Sequence, residues 1–146
     1  MGALVFIGVA LAFVLPTDET PPLWVPLAQV AAGVAVHVVL ETIGYRVQPL
    51  DPGQSDDDAA AAGRLRWQSA MILRFALSEF VALASIAAAF VLHTGGFLVY
   101  AVGALVSLVL MFVHVWPWAR PVGRTADALE ANGKASHLRQ TFGLPS

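Results

Sequence analysis

Five side chains able to carry charge or move a proton fall within apolar runs of this chain: His37, Glu41, Arg74, Glu79 and, near the end of the last run, His114. In hydrocarbon a charged group costs at least ~2.5–3.5 kcal/mol on insertion scales, so such residues are rare and need a partner or a task. Two kinds of chemistry suit them best. A Glu–Arg pair between helices is a structural clip that lets both side chains exist in lipid. A Glu–His series is a proton or ion pathway, since imidazole titrates near neutral pH. A third chemistry, axial haem ligation by His37 and His114, requires the two imidazoles at equal depth.

The spacing says which of these groups can meet. Gln29, Gly33, His37, Glu41 and Tyr45 follow one another at intervals of four. Each such step overshoots a helical turn by about 40°, so the series winds slowly around one side of a helix. Arg74, Ser78, Ala82, Ser85 and Ala89 share one face of the next helix, and every residue after Arg74 is small, as expected of a face pressed against a neighbour. Glu79 lies about 140° from Arg74, among Leu83, Ile86 and Phe90. Tyr100, Gly103, Ser107, Met111 and His114 share a face of the last helix, Gly103 and Ser107 forming a small-residue packing motif.

An intramembrane polar network is therefore expected from Gln29, His37, Glu41, Arg74, Ser78 and Glu79, with Tyr100, Ser107 and His114 contributing from the last helix. Glu41 is five residues from Arg46 and Arg74 is seven from Trp67. Both lie roughly 8–10 Å inside a common border at 1.5 Å per residue. Glu41–Arg74 is accordingly the expected main contact, with His37 nearby. Glu79 either reaches this group or faces a lateral partner. His114, beside Trp116, reads as an interfacial histidine with its tip toward water.

The elements that must position these residues are four apolar stretches, predicted as helices over about 2–15, 22–46, 56–93 and 96–116. Hydrophobic residues make up 58% of the chain and charged residues 12%. Soluble domains run near 45–50% and 25%, so the excess, gathered in runs, points to lipid. The expected fold is all-α: a four-transmembrane-helix up-down bundle over 1–118, followed by a tail over 119–146. The first stretch lacks the basic flank of a cleaved signal and is expected to be retained.

The first loop, Pro16–Pro22, carries Asp18 and Glu19 but no cation. The turn His93–Gly96 is neutral, with His93 expected to face solvent. Arg46, Arg64, Arg66, Arg120, Arg124, Lys134 and Arg139 all fall in the second loop and the tail. Positive charge near helix ends marks the cytoplasmic side, which places both termini there. Pro49 and Pro52 stop the second helix. Ser55 followed by Asp58 is an acidic capping box, so the third helix is expected to start at Asp56 and extend into the cytoplasm. Metal binding by Asp56, Asp57 and Asp58 is disfavoured, because adjacent side chains point apart on a helix. Trp24, Trp116 and Trp118 suit an interfacial belt. Short helices are expected at Thr125–Ala131 and Ser136–Phe142, in a tail either lying on the membrane surface or mobile.

The chain contains no cysteine, which removes disulfides, thiolate metal sites and cysteine catalysis. Its net charge of −2 gives no footprint for nucleic acid. Phosphate loops, HExxH and nucleophile elbows are absent from the sequence. One lysine against seven arginines, with abundant alanine, suits a GC-rich bacterial genome and hence a bacterial inner membrane. In size and helix count the chain resembles the small multidrug-resistance transporters, a four-helix family that works as dimers through a glutamate in its first helix. Here the first helix holds no ionisable residue, and the glutamates are Glu41 and Glu79. The stretch Ile72–Glu79 through Phe90, with its Arg-x4-Glu pattern, looks like segments of small bacterial four-helix membrane proteins, a likeness that implies no activity. The expected role is a non-enzymatic accessory or scaffold protein, without cofactor, whose partners are the bilayer and its own copies or a larger membrane complex. The alternatives are a proton-coupled transporter or channel using His37 and Glu41 with Arg74, and a haem- or cofactor-binding redox subunit.

Overall fold

The computed structural model describes residues 2–92 and 94–145. His93 lies outside the described residues. Among them no strand occurs, and the helices are α1 (Gly2–Ala12), α2 (Trp24–Ile43), α3 (Asp56–Val91), α4 (Gly96–His114), α5 (Ala119–Leu129) and α6 (Leu138–Thr141). α2, α3 and α4 are long and apolar enough to cross a membrane, the signature of a multi-pass membrane protein. α1 has eleven residues and rises only about 16 Å, less than the ~30 Å of hydrocarbon. It stops short of the expected Leu15, and Phe13–Leu15 close in turn-type bonds to Ala10 and Leu11. The proline at position 16 disfavours helix for the residue before it.

The chain divides into two compact units: Met1–Val38 with Ala76–Phe112, and Val39–Phe75 with Val113–Ser146. In the first, Leu11, Val25, Ala89, Val99, Tyr100 and Ala104 form the core. Helices approach closely where side chains are smallest. A Cβ at Gly103 would overlap the Ser85 side chain, and one at Gly33 would overlap Val106. The Tyr100 hydroxyl donates to the Leu4 carbonyl and fastens α1. Gly96 has a left-handed φ of 39° and sits against the Pro16 carbonyl, which also accepts the Phe97 N–H at 2.9 Å.

The second unit begins where α3 is capped. Ser55 Oγ accepts the Asp58 N–H at 3.2 Å and donates to the Asp58 carboxylate at 2.7 Å. Leu50, Ala59, Trp67, Val122, Ala126, Leu129 and Leu138 form its core. α5 and α6 thus bury their apolar side on Leu50 and Trp67. α5 starts at Ala119, earlier than expected, because Pro121 falls in a first turn, where its missing N–H costs nothing. The Leu50 N–H donates to the Leu129 carbonyl at 2.8 Å. Arg66 Nη1 donates to the carbonyls of Gln48 and Pro49 at 2.7 and 2.8 Å. Lys134 pairs with Asp56 at 2.7 Å.

Candidate functional site

In the second unit two arginines and a histidine gather around Glu41, in the last turn of α2. Arg120 and Arg124, four residues apart on α5, each donate to one carboxylate oxygen of Glu41 at 2.5 Å. Arg124 also reaches the Glu41 carbonyl at 3.3 Å. His114, fully buried at the end of α4, places Nδ1 3.7 Å from the same carboxylate. That nitrogen shares a 2.9 Å hydrogen bond with the Tyr45 hydroxyl. The Arg124 guanidinium lies over the Tyr45 ring, 4.2 Å from its centroid.

Arg74 does not pair with Glu41, contrary to the depth argument. Its fully buried guanidinium lies 4.7 Å from the Tyr45 centroid and 4.9 Å from the Trp67 centroid. Nη1 donates to Thr125 Oγ1 at 3.1 Å and to the Gly44 carbonyl at 3.4 Å. Among the described residues, Nε and Nη2 have no partner. The physical reason is competition. α5 presents two guanidiniums to one carboxylate, each making a charge-assisted bond, and the remaining cation stacks on aromatic faces instead. Arg120, Arg124 and Thr125 were missed because the chain after Trp118 read as a tail. The available signal was the four-residue spacing of Arg120 and Arg124, opposite buried Val122, Thr125, Ala126 and Leu129. His114 is buried rather than turned to water, because the Tyr45 hydroxyl satisfies its ring nitrogen.

The first unit holds a separate polar group. Gln29 Nε2 donates to Ser85 Oγ at 2.8 Å and to the Val99 carbonyl at 2.7 Å. Ser107 Oγ accepts the Ala82 N–H at 2.8 Å. Ser78 Oγ is buried with no partner among the described residues. Tyr100 is taken up by α1. Within the first unit Gln29 pairs with Ser85 and Ser107 of α4 with the α3 backbone; within the second, Glu41 pairs with His114. Gln29 and Ser85 also line an open apolar groove of about 340 Å³ with Trp24, Ala32, Phe80 and Ala88. His37 stands one turn before Glu41 on α2.

The face of α3 built from Arg74, Ser78, Ala82, Ser85 and Ala89 is buried throughout, as is the α4 face from Tyr100 to His114. Glu79 lies off this face of α3. It is only half-buried, and it makes no hydrogen bond or ion pair with any described residue. Its surroundings on that side of the helix, Ile72, Phe80 and Leu83, are exposed.

Outside the helices, burial pushes the Glu130 carboxyl up. Hydrogen bonds from the Ser136 hydroxyl and N–H and the Arg139 guanidinium outweigh this and hold it below its ordinary value of 4.5. No protein-family model, curated protein or solved structure matches the chain.

Proposed function

We propose that the chain is a protein of a bacterial inner membrane, its four apolar stretches threading up and down with both ends in the cytoplasm, the first crossing completed by residues 13–16 beyond the end of α1, and that it acts without catalysis as an accessory or scaffold subunit, self-associated or inside a larger complex. One observation carries the lateral-partner reading. Glu79 sits mid-way along an apolar helix, on a side whose neighbours Ile72, Phe80 and Leu83 are exposed, with no partner of its own. A carboxyl left there against lipid is costly. A donor from an adjacent chain removes that cost while the flanking side chains supply packing. The topology draws support from charge. Every lysine and arginine belongs to Val39–Phe75 or Val113–Ser146, and none to the other unit. Such a bias orients membrane proteins with the cations inside. The proton-transporter alternative draws less support, since both Glu41 oxygens are engaged by arginines.

The test uses the absence of cysteine. A single Ala76→Cys places a thiol one turn from Glu79 on the exposed side of α3. Mild oxidation in membranes is expected to give a disulfide-linked dimer, or, after gentle extraction, a bifunctional thiol cross-linker is expected to capture one defined partner. Glu79→Leu is expected to shift the wild-type particle toward the monomer in size-exclusion chromatography with light scattering. A wild-type particle that is monomeric, with no cross-link through position 76, overturns the reading.

A further inference from the structure

A groove of about 360 Å³ opens between the chain leaving α2 and the early turns of α3. Arg46, Val47 and Gln48 line one side, and Leu65, Arg66, Ser69 and Leu73 the other. Its two ionic groups are both cations, and no carboxylate lines it. Arg46 is exposed and its guanidinium has no partner among the described residues. Arg66 commits only Nη1, to two backbone carbonyls that hold it in place, leaving the rest of its fork open. Leu65 and Leu73, two turns apart on α3, are both exposed.

The position of this groove along α3 decides what it meets. α3 has 36 residues, a rise of about 54 Å against ~30 Å of hydrocarbon. Counting about 20 residues back from Val91 brings the hydrocarbon border close to Ile72. Arg66 therefore stands at headgroup level, and Leu73 at the start of the acyl region. The cations and the apolar wall are arranged in the order in which a phospholipid presents its phosphate and its chains.

We infer that this groove is a binding site for one anionic phospholipid of the leaflet facing Val39–Phe75. The phosphate lies between Arg46 and the free nitrogens of Arg66, and an acyl chain runs along Leu65 and Leu73. Charge complementarity selects this occupant: a zwitterionic headgroup would set its own cation beside two guanidiniums, and a peptide would leave the apolar wall in lipid. Planar guanidiniums suit phosphate oxygens, donating to two at a time. Arg66 positions the site by tying it to the α2–α3 connection, and Arg46 supplies the adaptable contact. The inference does not depend on the scaffold reading, since it asks only that the groove meet a bilayer surface.

The full chain, extracted in mild detergent, tests it by native mass spectrometry and thermal unfolding with added phosphatidylglycerol, phosphatidylcholine or inorganic phosphate. One retained phosphatidylglycerol is expected, with a rise in unfolding midpoint that neither of the other additives produces. Arg46→Gln is expected to weaken retention about fivefold, the worth of one surface arginine, without moving the midpoint measured with no lipid. Arg64→Gln, an exposed arginine outside the groove, is expected to retain the lipid as wild type does. Equal retention of the two phospholipids, equal loss in Arg46→Gln and Arg64→Gln, or protection by inorganic phosphate alone would each overturn the lipid site.

Discussion

Glu41 engages both carboxylate oxygens with guanidiniums whose side chains are each 37% exposed, so the pair is neither fully desolvated nor freely hydrated. Charge-assisted bonds of this kind contribute about 1–2 kcal/mol after screening. Glu41→Gln is expected to lower stability by that amount in detergent-monitored thermal unfolding. A double-mutant cycle with Arg124→Gln is expected to return a positive coupling, and a coupling of zero would remove the clamp from the account. Glu130 makes a second, pH-dependent anchor. Its folded carboxyl is held below 4.5, so its stabilising effect is complete above 4.5 and is lost as pH falls through the lowered value. The Ser136 amide donates to that carboxylate. Its proton resonance is expected to titrate with a midpoint below 4.5, and Glu130→Gln to abolish the titration. These local pairings were the least legible part of the sequence. Depth along two helices placed Glu41 level with Arg74, yet it carried no information about a third element arriving with two more cations. The cations at Glu41 are Arg120 and Arg124 rather than Arg74.

Elements were easier to read than partners, because their causes are local. Ser55 and Asp58 announced the start of α3 by a bond between residues three apart, and small residues at helical spacing marked the faces of α3 and α4 that are buried. Only the second half of α5 was expected, from Thr125; its first half, with Arg120 and Arg124, was hidden by its polarity. Two glycines test this scale with opposite signs. Gly103 faces Ser85 and Gln29, where a Cβ has no room. Gly103→Val is expected to cost about 1–3 kcal/mol through overpacking, read as a lower unfolding midpoint. Gly123, inside α5, has nothing within 4 Å of where a Cβ would stand. Gly123→Ala is expected to gain about 0.5–1 kcal/mol, because alanine loses less backbone freedom on entering a helix. A Gly123→Ala variant less stable than wild type would show that this stretch is not helical in the folded protein.

At the scale of the whole molecule, the proposed orientation rests on where the cations lie in the sequence. Reporter fusions at the two ends are both expected to read as cytoplasmic. Introducing arginines at Thr17 and Thr20, in the cation-free first loop, is expected to yield a mixture of orientations by the same reporters. The order of synthesis adds a further consequence, set by the bond from Tyr100 to the Leu4 carbonyl, 96 positions apart. The ribosome delivers Leu4 96 residues before the tyrosine that fastens it. At elongation speeds of about 5–20 residues per second, the opening helix waits on the order of 5–20 s for that hydroxyl. Throughout that interval α1 lacks the bond that fastens it, so the insertion machinery must shelter it.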